Sequence, residues 1–419
     1  MLSVKNSGGA SVYPRTLTVT GIKTSYTAGQ TVDLTGLKAT VMYSDDSNED
    51  VSDAVTASPA SGTMIYEDTT KITFSWTWPD DETVVLTSDV AVTVTRVLSS
   101  ISVSAPTKTI YYKGDALNLS GAVVTATFNS GRTAVVTSSA TFSPANGSTL
   151  SSFGTQTITA TYTENSVSKT ASTSVTVTVK TVTWASGTDT EIADMVEAAD
   201  AGIISLSDYW TVGDVRSIRL SAMSATGVGE SHVAQTQEFV LMNKGGKTLK
   251  NGKTCSFVVG MVRVLSTSSS YESGYMNSSS TNSGGWESCA RRTWCNSVFR
   301  NAIPPVIRGI FKQFKNVTAN GSSSSVTTST DYFALPSEKE VFGSTTYANS
   351  SAESSNSQFE YYKTSSNRVK ASLDGVAHFW WERSPYSGNS YSFCGVYDNG
   401  NAYYSSAGND YGIAPFGCI

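Results

Sequence analysis

Alternating apolar and hydroxyl residues mark the strands of the first 180 positions. Residues 90–96 (VAVTVTR) and 174–180 (SVTVTVK) follow this pattern, which has the period of a half-buried β-strand. Similar stretches begin near residues 17 and 101 and are followed by glycine turns. The pattern predicts two all-β sandwiches, residues 15–96 and 97–180, preceded by an N-terminal arm at residues 1–14.

The two predicted sandwiches are copies of one another. Residues 29–36 (GQTVDLTG) reappear at 114–121 (GDALNLSG), an offset of 85. A period of this size is a whole domain rather than a solenoid unit. We therefore expect near-superimposable domains in which Leu34 and Leu119 occupy equivalent positions.

The repeated block carries a family resemblance. It has the form Tyr-x-x-Gly-[Gln/Asp]-x-[Val/Leu]-[Asp/Asn]-Leu-[Thr/Ser]-Gly and begins at Tyr26 and Tyr111. It resembles bacterial immunoglobulin-like repeats, small sandwiches that act as spacers on surface proteins and phage virion proteins. The resemblance implies a spacer or decoration module, with direct glycan binding as the alternative. For Trp76 and Trp78 we prefer a core or inter-domain position to an exposed platform.

After residue 180 the pattern turns helical. Thr188 and Glu191 have the spacing of a capping box, apolar residues follow at helical intervals, and Gly202 ends the run. Residues 337–341 contain a second capping box, 238–242 a buried strand, and 209–220 a strand pair turning at Gly213. An α+β domain is predicted for residues 181–419.

A further helix is predicted around Trp286. Apolar residues recur there at helical intervals, while Arg291 and Arg292 are expected on the opposite, polar side. The apolar set is Trp286, Cys289, Ala290, Trp294 and Val298.

The last forty residues divide into two blocks that look fixed by packing and a segment between them. The blocks are 379–385 (FWWERSP) and 412–419 (GIAPFGCI), and the segment 386–411 is built almost wholly of Tyr, Ser, Asn, Asp and Gly. Tyrosine offers contact area at low entropic cost, and the small polar residues offer adaptable hydrogen bonds. The candidate ligand-binding residues are Tyr386, Asn389, Tyr391, Tyr397, Asn399, Asn401, Tyr403, Tyr404, Asn409 and Tyr411. The candidate scaffold residues are Trp286, Trp380, Trp381, Arg383 and Pro415.

An ordered series of sequence blocks resembles a domain of phage tail proteins and bacterial surface proteins. The blocks are Tyr209-Trp210-x-x-Gly213-Asp214-x-Arg216, Met276-Asn277, Gly284-Gly285-Trp286-x-x-x-x-x-Arg292, Asp331-x-Phe333-x-Leu335-x-x-Glu338, Trp380-Trp381-x-Arg383-Ser384-Pro385 and Gly412-Ile413-Ala414-Pro415. The resemblance implies a C-type-lectin-like fold, the class that includes the formylglycine-generating enzyme and the variable proteins of diversity-generating retroelements. In the variable proteins a C-terminal region displays diversified side chains on a rigid scaffold.

The composition of the segment fits that resemblance. Adenine-directed mutagenesis of asparagine codons yields mainly Asn, Tyr, Ser, Asp, Gly, Phe, Cys, Ala and Val, and no other residue occurs from Tyr386 to Tyr411. A diversified region, a fixed ligand-facing surface and a turn-rich meander remain three alternatives.

Charge and hydropathy exclude several partners. Charged residues make up 15% of the chain and the net charge is −5, without the basic stripe of a nucleic-acid-binding protein. No apolar run reaches membrane-spanning length, so we expect no membrane insertion. Residues 1–15 lack the layout of a secretory signal, which favours assembly in the host cytoplasm and delivery on a particle.

Neither a catalytic centre nor a cofactor is predicted. The five cysteines all lie beyond residue 250 and the two histidines are far apart, a poor basis for a zinc site. Buried free thiols are expected, with a disulfide between Cys394 and Cys418 or between Cys289 and Cys295 as alternatives. The calcium motifs of C-type lectins are missing, although Asp398 and Asp410 could bind a hard cation.

The enzymatic hypothesis has only weak candidates. The pair Cys289 and Cys295, near Arg291 and Arg292, is the one set suited to formylglycine-type chemistry. Glu382 is expected to pair with the adjacent Arg383 instead of acting as an acid.

The leading hypothesis is a receptor-binding protein of a phage tail fibre or tail tip. Its expected partners are a host surface protein or glycan and, through the N-terminal region, other virion proteins. We also expect a homo-oligomer, with a trimer among the assemblies allowed. The alternatives are a structural capsid or tail decoration protein and an adhesin on the bacterial cell surface.

Overall fold

A computed structural model describes residues 12–228, 231–265 and 274–419. The chain forms two compact units, Met1–Val177 and Thr178–Ile419. Most of the predicted N-terminal arm lies outside the described residues, and Pro14 already belongs to the first strand.

The first unit consists of β-strands joined by short turns. Its strands are β1 (Pro14–Thr20), β2 (Ser25–Thr27), β3 (Lys38–Tyr43), β4 (Asn48–Asp50), β5 (Thr56–Ser58), β6 (Lys71–Thr77), β7 (Val85–Ala91), β8 (Thr93–Thr95), β9 (Leu98–Val103), β10 (Ile110–Tyr112), β11 (Val124–Phe128), β12 (Thr133–Val135), β13 (Thr141–Ser143), β14 (Gly154–Glu164) and β15 (Val167–Thr178).

The strands build two sandwiches in succession. The first has sheets β1-β3-β4 and β5-β6-β7 and a parallel pair β2-β8, and the second has sheets β9-β11-β12 and β10-β15-β14-β13. Trp76 and Trp78 are buried in the first core with Val41 and Phe74. The core position preferred for the two tryptophans is confirmed.

The same local contacts recur in both sandwiches at the predicted offset. The hydroxyl of Tyr26 bonds the backbone N–H and carbonyl of Asp33 at 3.3 and 3.2 Å, and that of Tyr111 does the same at Asn118, at 3.1 and 3.0 Å. Leu34 and the matching Leu119 follow these residues directly. The sequence repeat is therefore a structural repeat.

The second unit mixes helices with several small sheets. Its strands are β16 (Val215–Leu220), β17 (Gln235–Lys244), β18 (Phe257–Met261), β19 (Phe314–Ala319), β20 (Val326–Asp331), β21 (Phe333–Ala334), β22 (Lys370–Ala371), β23 (Ala377–His378), β24 (Trp380–Pro385), β25 (Ser392–Val396), β26 (Ala402–Ser406) and β27 (Phe416–Cys418). Its α-helices are α1 (Asp189–Asp200), α2 (Ala290–Trp294), α3 (Arg300–Ala302), α4 (Pro305–Ile310) and α5 (Glu338–Phe342), with a π-helical turn at Cys295–Phe299 and 3₁₀ turns at Leu206–Asp208, Glu360–Lys363 and Ser365–Arg368.

Two sheets position the C-terminal region. The larger has the strand order β16-β17-β18-β27-β21 and the smaller has the order β24-β25-β26. Every residue of β18, β24, β25 and β27 is buried. The carboxyl-terminal strand therefore lies inside the larger sheet and forms part of the core.

Both predicted capping boxes are present. Thr188 caps α1 with Glu191, and Ser337 caps α5 with Glu340. Gly202 follows α1 with φ of 74°, a conformation that favours glycine. None of the helices in the described ranges is long and apolar enough to cross a membrane.

Three local predictions were wrong. Tyr209 and Trp210 are not part of a strand pair, because β16 begins only at Val215. Trp286 lies in a turn before the helix, which begins at Ala290. Arg291, expected on the polar side, is fully buried because its guanidinium lies over Trp294 and donates to backbone carbonyls.

Candidate functional site

The two fixed blocks contact each other beneath the segment 386–411. Gly412 donates its N–H to the carbonyl of Phe379 at 2.8 Å, and Trp381 donates to the carbonyl of Gly412 at 3.0 Å. A Cβ at Gly412 would lie 2.8 Å from that Phe379 oxygen and 2.6 Å from a methyl group of Val264. The segment therefore leaves and re-enters the core at one closed base.

The tryptophan pair anchors this base. Both side chains are 1% exposed. The ring N–H of Trp380 donates to Arg368 O at 2.9 Å, and that of Trp381 to Gly274 O at 3.1 Å. Trp381 also packs against Tyr411, with ring centroids 5.0 Å apart. Buried indoles with satisfied N–H groups make a rigid support.

Asp331 connects Trp286 to the hairpin β19–β20. One carboxylate oxygen of Asp331 accepts from Trp286 Nε1 at 3.0 Å, Asn316 Nδ2 at 2.9 Å and Ser329 Oγ at 2.6 Å. The other oxygen accepts from Arg292 Nε at 2.6 Å. Trp286 is thus a scaffold residue held by a fully buried carboxylate and not by a helix face.

Arg383 lies in a buried ionic cluster with Glu340 and Lys247. It makes two contacts with the carboxylate of Glu340 and donates to Leu335 O at 2.9 Å. Lys247 contacts the same carboxylate. Burial alone would raise the pKa of Glu340, but the charges of Arg383 and Lys247 outweigh it and lower the pKa to about 2.

Glu382 does not pair with Arg383 as expected, because successive side chains of a strand point to opposite faces. The carboxyl of Glu382 is fully buried, and neither of its oxygens has a hydrogen-bond partner among the described residues. Burial, followed by the nearby Glu338 and Glu353, raises its pKa well above the usual value. Burial without a hydrogen-bond partner thus favours the neutral form of this carboxyl.

The segment 386–411 has a buried middle and exposed turns. Residues 386–391 form a loop, β25 is buried throughout, residues 397–401 form a second loop, and β26 is the outer strand of its sheet. Phe393 and Cys394 in β25 are 0% exposed. Only the loops and parts of β26 are available to a ligand.

The tyrosines of the segment, apart from Tyr391, form a continuous ring-to-ring array. Tyr386 stacks on Tyr404 with centroids 4.0 Å apart, and Tyr404 lies 6.0 Å from Tyr403. Tyr403 and Tyr397 both lie against Phe379, at 5.4 and 3.9 Å. We call this array the aromatic surface, and its members are Tyr347, Phe379, Tyr386, Tyr397, Tyr403, Tyr404 and Tyr411.

Exposure differs among the candidate tyrosines. Tyr391 is 51% exposed and Tyr403 is 38% exposed, whereas Tyr386, Tyr397, Tyr404 and Tyr411 are half-buried. Tyr391 lies in the loop before β25, and Tyr403 is in the outer strand β26. These two tyrosines offer the most surface to a ligand.

The asparagines of the segment support its turns. Asn389 Oδ1 accepts from the backbone N–H groups of Tyr391 and Ser392, at 3.1 and 2.9 Å. Asn399 Oδ1 accepts from Asn401 N at 3.1 Å. Asn409 Nδ2 donates to the hydroxyl of Ser405 at 2.7 Å. Asn401 and Asn409 are exposed, so they shape the loops and still reach solvent.

Sequence reasoning missed three residues of the site. Tyr347 and Phe379 belong to the aromatic surface but lie outside the tyrosine-rich segment. Asn282 is buried and donates to the carbonyls of Asn389 at 2.9 Å and Ser392 at 2.8 Å. Asn282 lies in a polar loop with another asparagine, and nothing in that local pattern predicts that its side chain binds the segment 386–411.

The chemistry of Cys289 and Cys295 does not resemble that of an activated pair of thiols. All five cysteines are buried and free, and burial raises the pKa of Cys289 to about 11 despite Arg291 and Arg292 nearby. Burial likewise raises the pKa of Cys295. No group of three or more His, Cys, Asp and Glu side chains within the described ranges is arranged to hold a metal ion.

Two family matches cover parts of the chain. Residues 104–179 match the bacterial Ig-like domain (group 3), so the Ig-like class predicted for the second sandwich is confirmed. Residues 260–419, which include the aromatic surface, match a domain of unknown function (DUF6273). A search of curated proteins gave no significant match.

Two solved structures of surface layer protein SbsC, of domains 1–6 and of domains 4–9, match 59% of this chain. The identities are 14% and 13%, and this chain spans 37% and 45% of the length of those chains. Both TM-scores are 0.16, and a likeness of this size carries no argument about fold or function.

Proposed function

We propose that the chain is a receptor-binding protein of a phage tail fibre or tail tip, whose aromatic surface binds a ligand on the host cell. The observation that carries the proposal is the aromatic surface itself, half-exposed rings above a closed and buried base. Large side chains that are already ordered lose little entropy on binding, so a few of them supply most of the affinity.

The same geometry supports a C-type-lectin-like interpretation of residues 181–419. That resemblance implies a rigid scaffold below a displayed segment, and the buried tryptophans, Arg383 and Pro415 lie on both sides of the segment. If the segment is diversified, we expect variation at the loops and at β26. Variation within β25 would disturb the core, because Ser392–Val396 is buried throughout.

Binding is favoured over catalysis by the state of the acids and thiols. Glu382 is sealed from solvent and the thiols of Cys289 and Cys295 are held protonated. The Ig-like sandwiches then serve as a spacer that joins the binding domain to other virion proteins. Localisation on a virion follows from this proposal.

The proposal is tested by binding of the labelled full chain to intact cells of a phage-susceptible strain. We expect saturable binding that an excess of unlabelled chain displaces and that slows phage adsorption. Protease or periodate treatment of the cells then distinguishes a protein ligand from a glycan. Binding to purified phage heads or tails, but not to cells, would support the decoration protein instead.

A further inference from the structure

The carboxyl-terminal strand pairs irregularly with β18. Ser256 and Phe257 both donate their backbone N–H to the carbonyl of Ile419, at 2.7 and 3.3 Å. Two residues opposite one residue constitute a β-bulge, which shifts the alternation of the strand by one position. Beyond the bulge the strand regains its register, with Val258 opposite Cys418.

The bulge changes the direction of Cys255. In a regular strand Cys255 would point to the same side as Phe257, away from Cys418. Cys255 lies before β18, and the extra residue at the bend of Ser256 allows it to turn towards the side shared by Val258 and its partner Cys418. The two thiols contact each other, and this hydrogen bond is the largest cause that lowers the pKa of Cys255. Burial and the same contact raise the pKa of Cys418.

Cys255 is 3% exposed and lies next to open space. Cys255 lines a surface cavity of about 630 Å³ together with Leu206, Lys244 and Thr254. Cys418 is 0% exposed and is not among the residues that line this cavity. The thiol with the lower pKa is therefore the one next to the cavity, the arrangement needed for attack on a small disulfide.

We propose that Cys255 and Cys418 form a reversible disulfide that fastens the carboxyl-terminal strand to β18 in an oxidising environment. This pairing differs from Cys394 with Cys418 and Cys289 with Cys295, the two that the sequence left open. The oxidant is a low-molecular-weight disulfide such as oxidised glutathione.

The exchange is balanced in two steps. The thiolate of Cys255 attacks one sulfur of glutathione disulfide, forms a mixed disulfide and releases one glutathione thiolate. The sulfur of Cys418, after losing its proton, displaces the second glutathione thiolate and closes the Cys255–Cys418 bond. Two protein thiols are oxidised, two electrons pass to the glutathione disulfide, and the two protons end on the released thiols.

Stabilisation is expected because the bond links positions far apart in the sequence. Residues 255 and 418 enclose most of the second unit, and cross-links over long loops restrict the unfolded chain most. We expect the melting temperature of this unit to rise by about 5–15 °C on oxidation and to return on reduction.

The test treats the folded full chain with oxidised glutathione, blocks remaining thiols with iodoacetamide and maps the peptides by mass spectrometry. We expect a peptide link between Cys255 and Cys418, loss of two hydrogen masses and the rise in melting temperature. Cys255→Ser and Cys418→Ser should each abolish all three, while the control Cys394→Ser keeps them.

Two results would overturn the proposal. One is that iodoacetamide still alkylates both Cys255 and Cys418 of the wild-type chain after the oxidation step. The other is that Cys255 keeps a bound glutathione and forms no link to Cys418. Because the wild-type map alone gives these outcomes, the test holds even if a serine variant fails to fold.

Discussion

At the scale of single residues, the stability of the base below the aromatic surface depends on the charge states of two buried carboxyls, Glu340 and Glu382. Glu340 keeps its charge because Arg383 and Lys247 face it, whereas burial, followed by the nearby Glu338 and Glu353, raises the pKa of Glu382 and favours its neutral form. The two carboxyls are close in the fold and have opposite pKa shifts. Each shift gives a separate expectation for stability.

We predict that Arg383→Met destabilises the second unit by about 3–5 kcal/mol, because it leaves a buried carboxylate with one partner fewer. The surface ion pair of Arg263 with Glu238 provides a matched control, and Arg263→Met should cost about 0–1 kcal/mol. Urea unfolding of the two variants measures the difference. Equal losses of unfolding free energy in the two variants would show that the buried ion pair stabilises the protein no more than the surface ion pair does.

We predict that Glu382→Gln makes the stability of the protein less sensitive to rising pH. The pKa of Glu382 is raised in the folded state, so its favourable contribution is complete below the unfolded pKa of about 4.3 and is lost as pH rises from there towards the folded value. Relative to the wild type, the variant should therefore gain stability progressively as the pH rises above the unfolded pKa of about 4.3.

Unfolding free energies at a series of pH values give this comparison. The exposed Glu360 provides the control, and Glu360→Gln should leave the profile unchanged. Parallel profiles for the wild type and Glu382→Gln would mean that Glu382 is charged in the folded protein.

At the scale of elements, the two ends of the segment 386–411 are joined by backbone hydrogen bonds of Gly412 with Phe379 and Trp381. Alanine at this position would overlap the carbonyl of Phe379 and the side chain of Val264. The neighbouring Trp380 and Trp381 are both buried, so they cannot move aside to make room for a methyl group. The closure therefore depends on the missing side chain of one glycine.

We predict that Gly412→Ala destabilises the protein by about 1–3 kcal/mol through this overlap. A methyl group added at Gly309 in α4 would meet no atom within 4 Å, so Gly309→Ala should be neutral or stabilising by up to about 1 kcal/mol. Thermal melts of the two variants should move apart. A shift of the same sign and size in both would contradict the closure.

The elements that depend on local signals were the ones that the sequence predicted. Capping boxes at Thr188 and Ser337 and the strand 238–242 rely on neighbouring residues and were correct. The strand at Tyr209 and the start of the helix at Trp286 were wrong, because tertiary contacts fix both regions. The indole of Trp286 bonds Asp331, 45 residues away in sequence.

The same division applies to the site. Composition identified the tyrosine-rich segment, since tyrosine and small polar residues mark it locally. Tyr347 and Asn282 were missed because their roles arise only when distant loops meet. The thiol contact of Cys255 with Cys418 was also out of reach, since it requires a bulge that no local pattern announces.

At the scale of the whole molecule, the chain separates a repeated unit built mainly of β-strands from the unit that carries the aromatic surface. Each unit has its own buried core. The division places every candidate ligand-binding residue in the second unit. Folding and binding should therefore be separable from the sandwiches.

We predict that a fragment of residues 178–419 folds alone and binds host cells as the full chain does. The reason is that its sheets and the ion pairs of its base are internal to the unit. Circular dichroism and cell binding measure the two properties. A folded fragment without binding would assign the ligand site to the sandwiches, and an unfolded fragment would contradict the independence of the unit.

The most direct test of the central claim is host-cell binding by a chain that carries Tyr391→Ala and Tyr403→Ala together. These tyrosines are the most exposed of the segment, so the account predicts loss of binding by at least about tenfold with a melting temperature close to the wild type. Tyr209→Ala, at a tyrosine that is 42% exposed in the same unit, should bind normally. Unchanged binding by the double variant, with the fold intact, would contradict the claim that Tyr403 of the aromatic surface and Tyr391 of the loop before β25 hold the host ligand.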